Sequence, residues 1–273
     1  MTTTPNSTPC GRTSVASELF EPTLDLILDA GQTLLENGGE VFRAQQTMEI
    51  MAHSLGVEEF HVYVLTNGIF ASARPAGGTS ISMVRHVPRV SIHLGRVEAV
   101  NELSRELAAG QLDLIQARRK LADARAIGDT PPRAERLACV VGSAGFAFLF
   151  GGMLPEILVA AVAGLLESFV CQWFGKRRIN RIFTDIVAAC LCTLWALGVS
   201  RLVPMLDVNT ATIGALMVLT PGVALTMGIR DIINADYLSG AIRLLDAVLI
   251  AGSIACGVVL AWLAARGLGA IVW

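Results

Sequence analysis

Charge is what this sequence has least of. Asp, Glu, Lys and Arg together make up 16% of the 273 residues against 53% hydrophobic ones, and the mean hydropathy is +0.58. That balance excludes an ordinary water-soluble protein. The scarcity is also uneven. No charged side chain occurs between Leu137 and Pro155, between Asp185 and Arg201, between Asp207 and Arg230, or between Asp246 and Arg266. A further stretch, Ile157 to Gly175, is interrupted only by Glu167. At about 1.5 Å per helical residue each stretch approaches the thickness of a bilayer, so five spanning helices are expected.

Other shortages narrow the function. Histidine is confined to His53, His61, His86 and His93, none in an apolar stretch, and no HExxH, P-loop, GxSxG or nucleotide fingerprint is present. A metal site and an enzyme are therefore not expected, and no cofactor is implied. Cys10, Cys139, Cys171, Cys190, Cys192 and Cys256 form no CxxC pair and read as small apolar residues. The net charge of -2 offers nothing to nucleic acid. The first residues, "MTTTPNSTPCGRTS", lack the charged segment and apolar core of a signal peptide, so the amino terminus is expected in the cytoplasm.

Basic residues near helix ends give the orientation. Arg133, Arg136, Lys176, Arg177, Arg178, Arg181, Arg230 and Arg243 fall on one side and only Arg201 and Arg266 on the other. The first side is expected in the cytoplasm, which places Trp273 outside. Ahead of the spans, a tail over 1–16 is expected to be disordered and residues 17–130 to form a cytoplasmic α+β domain. It ends at the "AIGDTPPRAER" linker, whose Pro131-Pro132 pair stops a helix. Residues 131–273 are expected to be the membrane domain. Within the α+β domain, helices are predicted from Ser17 to Glu36, Glu40 to Leu55, Val97 to Ala109 and Gln111 to Arg125. Alternation from Phe60 to Leu65, "IFASA" and "TSISMVRHV" predicts three or so strands, the first two joined at Asn67-Gly68. Gly77-Gly78 reads as a turn.

Polar groups kept inside lipid-soluble sequence are the candidates for function. Glu167 lies on one helical face with Glu156, Ala160, Ala163 and Cys171, either a tight helix contact or the wall of a hydrophilic path. Asp185 opens the third span, near Arg181, as a member of such a path or as an interfacial anchor. In the fourth span Pro221 removes a backbone donor and Gly222 loosens the turn, so the helix is expected to break there. Arg230, Asp231, Asn234, Asp236, Ser239, Arg243 and Asp246 then crowd together, as a substrate-handling cluster or as an ordinary solvated loop. In the soluble part, Glu40 and Arg43 stand one helical turn apart, where a surface ion pair is the expected reading.

The segments "PGVALTMGIRDIINADYLSGAIRL", "LLENGGEVFRAQQTMEIMAHSLGV" and "VYVLTNGIFAS" occur in an order that resembles the threonine/serine exporter family in its YjjP-like subunit form, over roughly residues 20 to 265. The resemblance implies a cytoplasmic amino-terminal domain on a multi-pass helical bundle in the bacterial inner membrane. It also implies export of a small hydrophilic metabolite (threonine, serine or succinate) by a proton-coupled secondary transporter, an antiporter. The family's Pro-Gly break falls on Pro221 and Gly222, its Arg-Asp pair on Arg230 and Asp231, its Asp, Ser-Gly and Arg on Asp236, Ser239, Gly240 and Arg243, and its Gly, Glu and Arg pattern on Gly38, Glu40 and Arg43. Because the fused exporters continue into a second membrane half, a separate small membrane subunit of the YjjB-like kind is the implied partner. Ala160, Gly164, Ala251, Gly252 and Ala255 suit close contacts with that partner or within the bundle. A membrane-embedded enzyme and a non-transporting sensor or scaffold are the rival classes.

Overall fold

The computed structural model describes residues 12–75, 78–88 and 91–267. Cys10, Gly77 and Trp273, and residues 1–11 of the expected tail, lie outside the described residues. The described chain divides into two compact units. Residues up to Asp129 join Met227–Ile242 in the first, and Thr130–Thr226 joins the residues from Arg243 onward in the second.

The first unit opens with α1 (Arg12–Glu36), which starts ahead of the expected Ser17. Its apolar stripe of Leu24, Ile27, Leu28, Leu34 and Leu35 is buried, as the helical period requires. The helix stops because Gly38 adopts φ +87 and the Gly39 amide donates to the Leu34 carbonyl at 2.7 Å, a left-handed cap that glycine adopts without a Cβ penalty. Next come α2 (Val41–Ser54), β1 (Glu59–Leu65), β2 (Gly68–Arg74), β3 (Ile81–His86), α3 (Leu94–Ala108) and α4 (Leu114–Ala126).

The strands form an antiparallel meander in the order β1-β2-β3. Leu65 pairs with Gly68, so the turn residues are Thr66 and Asn67, one position ahead of the expected Asn67-Gly68. The register explains the shift, because it sets buried Val64 against buried Ile69, and a slip would break that match. Helix α4 begins with a capping box in which Asp113 and Gln116 exchange hydrogen bonds. Arg125 ties α4 to α1 by donating to the Thr33 hydroxyl and the Asp29 carbonyl, both at 2.8 Å.

The second unit holds α5 (Pro132–Leu149), α6 (Leu154–Lys176), α7 (Arg181–Ser200) and α8 (Val208–Leu216), while α9 (Gly222–Ile233) and α10 (Tyr237–Gly267) each start in one unit and finish in the other. Among the described residues, three helices are long and apolar enough to cross a membrane, α6, α7 and α10. The expected count of five is not confirmed, and two stretches account for the difference. The stretch Leu137 to Pro155 is not one rod: α5 ends at Leu149, and Gly151 at φ +85 turns the chain before α6. The stretch Asp207 to Arg230 is two rods, and at about 1.5 Å per residue neither α8, with 9 residues, nor α9, with 12, reaches across a hydrocarbon core of about 30 Å.

Small residues set the packing of this unit. A Cβ on Gly164 would lie 2.7 Å from the Cys139 carbonyl of α5, and one on Gly214 would lie 2.7 Å from the Ala147 amide. Of the small positions singled out in the sequence, Ala160 and Gly164 are internal, whereas Ala251, Gly252 and Ala255 face outward on α10.

Candidate functional site

The helix break falls where Pro221 removes a backbone donor. The end of α8 tightens into short turns, with Leu219 donating to Leu216 at 3.0 Å and Thr220 to Met217 at 3.2 Å, and α9 restarts at Gly222 with the Pro221 carbonyl accepting from the Leu225 amide at 3.0 Å. Pro221 is half-buried and Gly222 exposed.

Beyond the break, α9 enters the first unit and carries Arg230 to Glu40. Arg230 Nη1 donates to Glu40 Oε1 at 2.6 Å across 190 residues of sequence. Glu40 is the N-cap of α2, yet its side chain does not cap its own helix. Its other oxygen, Oε2, is buried and has no hydrogen-bond donor among the described residues. Gly38 and Gly39 fix this approach. The first holds the left-handed φ, and a Cβ on the second would lie 2.8 Å from the Leu34 carbonyl. The surface pair expected between Glu40 and Arg43 is not formed, because Glu40 turns to Arg230 and leaves Arg43 exposed one turn away.

The rest of the cluster builds the corner between α9 and α10. Asp231 is buried, Asp236 half-buried and Ser239 buried. Ala235 turns the chain at φ +68, and the Asp236 amide donates to the Asp231 carbonyl at 2.9 Å. Gly240 lets the two helices touch, since a Cβ there would stand 2.8 Å from the Gly228 carbonyl and 2.6 Å from Ile232 Cγ1. Arg243 lies one turn further along α10, in the second unit, and is half-buried.

In the second unit, the face of α6 expected from spacing is the buried one, with Glu156, Ala160, Ala163 and Glu167 all inside. The two glutamates differ in kind. Glu156 is satisfied, accepting from the Met153 amide at 2.8 Å and from the Asp207 amide at 3.0 Å, so it staples α6 to the start of α8. Glu167 is 2% exposed and its Oε2 has no hydrogen-bond donor among the described residues. Asp185 on α7 is buried and near enough to interact electrostatically with Glu167. Its Oδ2 lies 3.7 Å from Arg181 Nε, an ion pair at the helix entrance without a hydrogen bond. Removing two carboxylates from water is unfavourable unless their protonation or partners change in use.

Buried hydroxyls line these faces beside the Cys192 thiol, and it was the hydroxyls that the sequence reading missed. Ser143 donates to the Ala215 carbonyl at 3.4 Å, Thr193 to Ala189 at 2.8 Å, and Cys192 to Ala163 at 3.4 Å. The spacing of Asp185, Ala189, Cys192, Thr193 and Ala196 on one side of α7 was the available signal. Among the described residues no group of His, Cys, Asp or Glu is arranged to hold a metal ion.

A family profile described as "Putative threonine/serine exporter" matches residues 25–264. The chain is also similar to a protein of Mycobacterium tuberculosis named "Probable threonine/serine exporter", with 23% identity over 243 residues, which cover 87% of this chain and 45% of that protein. The chain thus spans a little under half the length of that curated relative. No solved structure matches.

Proposed function

The chain belongs to the threonine/serine exporter family, and from that premise we propose that it is a subunit of a bacterial inner-membrane exporter of threonine and serine, driven by the proton gradient and not an enzyme. The observation that carries the reading is the buried Glu167 carboxylate on a membrane-length helix, with Asp185 close by on the next. A carboxyl group held in that setting takes up and releases a proton as access to it changes.

The broken helix supplies the second half of the mechanism. Cargo enters from the cytoplasmic side, where Arg230 on α9 offers its guanidinium group to the cargo carboxylate. Asp231, Asp236 and Ser239 hold the corner that aims Arg230. Glu167 returns the proton that makes each outward step downhill. A second small membrane subunit of the YjjB-like kind completes the path.

The test is efflux from proteoliposomes holding the chain with and without the second subunit, loaded separately with labelled threonine, serine and succinate. Proton-driven loss of threonine and serine is expected, with Glu167→Gln slowing it at least about tenfold. Succinate as the moving solute would correct the substrate. No solute moving from the complete pair, or unchanged proton dependence in Glu167→Gln, would overturn the proposal.

A further inference from the structure

We infer that Glu40 is a tethered carboxylate that shuttles between two guanidinium groups, ceding Arg230 to the carboxylate of the cargo and moving to Arg43 when it does. The inference rests on the reading of Arg230 as a cargo contact.

Three features carry it. The contact is single-point, one Nη1 to one Oε1 at 2.6 Å, with Glu40 Oε2 left without a donor among the described residues. A free carboxylate that engages two nitrogens of the fork makes a stronger bond than this one. Arg230 is also reachable, with 55% of its side chain exposed, while Glu40 is only 17% exposed. The exchange therefore takes place at a site open on the arginine side and fixed on the glutamate side.

The third feature is where Glu40 goes. A buried carboxylate deprived of its partner is costly. Arg43 stands in the first turn of α2, three residues on from Glu40 at its N-cap, and it forms no ion pair among the described residues. In the resting state Glu40 holds Arg230. In the loaded state the cargo holds Arg230 and Glu40 holds Arg43. In the loaded state both carboxylates face a guanidinium, so displacing Glu40 leaves no carboxylate without a partner and a small ligand can move the balance. A cargo without a carboxylate has no means to displace Glu40. The device thereby selects carboxylate-bearing metabolites, and it keeps Arg230 occupied when none is present.

The glycine turn makes the arm stiff. Gly38 and Gly39 fix the start of α2, so the reach of Glu40 is set by its own side chain and not by loop motion. Forgoing the N-cap of α2 is consistent with a side chain needed elsewhere.

Binding of L-threonine and of L-threoninamide to the full-length detergent-solubilised protein, by microscale thermophoresis, tests the exchange. Glu40→Gln removes the internal competitor and tightens threonine binding about two- to fivefold, the worth of an exposed ion pair, while leaving the amide unchanged. Arg43→Gln weakens threonine binding by a similar factor, and the double variant behaves as Glu40→Gln because Arg43 acts only through Glu40. Should Glu40→Gln fail to fold, Glu40→Asp withdraws the carboxylate from Arg230 and shifts affinity in the same direction. If the wild-type protein binds threonine but Glu40→Gln binds it no more tightly, or gains equally for the amide, the exchange is wrong and the exporter reading stands. If the wild-type protein binds none of threonine, serine or succinate, the exporter reading falls and takes the exchange with it.

Discussion

The two units bury opposite kinds of side chain. In the first, Leu24, Ile27, Leu28, Leu34, Leu35, Met48, Met51, Ile69 and Leu103 are among the largest wholly buried residues of the described chain. In the second, the centre is Ala147, Ala160, Ala163, Ala188, Ala189, Cys192 and Ala215, and the large residues Phe148, Leu158, Phe169 and Leu263 face outward. The difference follows from the solvent. In water each square ångström of apolar surface removed stabilises the fold by about 25 cal/mol, so bulk goes inside. Beside lipid tails a leucine gains nothing by turning inward, and what stabilises is the close approach of backbones that alanine and glycine allow. Polar groups follow the same inversion. Arg85, Arg125 and Asp29 of the first unit pair at its surface, whereas Glu156, Glu167 and Asp185 of the second are buried.

The comparison breaks most sharply at Leu28. Leu28→Ala should lower the stability of the full-length protein by about 3 kcal/mol and up to about 5, read as an earlier melting transition in detergent, because the site lies in a packed aqueous core. Gly164→Val probes the opposite rule and should cost about 2 to 3 kcal/mol, since the added carbon meets the fixed Cys139 carbonyl. The outcome is read as loss of monodisperse protein on gel filtration.

Asp207→Ala should cost about 1 kcal/mol at neutral pH by removing the cap of α8, where Asp207 accepts from the Asn209 amide at 3.0 Å. The Thr210 hydroxyl, donating to the Asp207 carboxylate, lowers the pKa of that group below the usual aspartate value. Its contribution is therefore complete above that usual value and is lost as pH falls through the depressed one, so wild type and Asp207→Ala should converge in acid melts. The smallest effect is expected at Leu158→Ala, under about 0.5 kcal/mol, because the same loss of methyl groups occurs on a face turned outward. A drop at Leu158 comparable to that at Leu28 would show that this face is covered by protein instead of lipid.

Much of this was legible in the sequence wherever one helix could be read by its own period. The buried face of α6 follows from the eleven-residue return from Glu156 to Glu167, and the break at Pro221 follows from a missing amide hydrogen. The end of α5 was not legible, because Phe150 and Met153 are as apolar as the helix before them and hydropathy does not distinguish a helical turn from a glycine-led reversal. The partner of Glu40 was least legible. Local spacing favoured Arg43, and only the folded chain carries an arginine 190 residues away into the better position.

Ala235 has a consequence of its own. With φ at +68 and a Cβ to accommodate, it is held in a conformation that a residue other than glycine leaves downhill by about 1 kcal/mol. Glycine would hold the same bend without that cost, so Ala235→Gly should firm the corner ahead of α10.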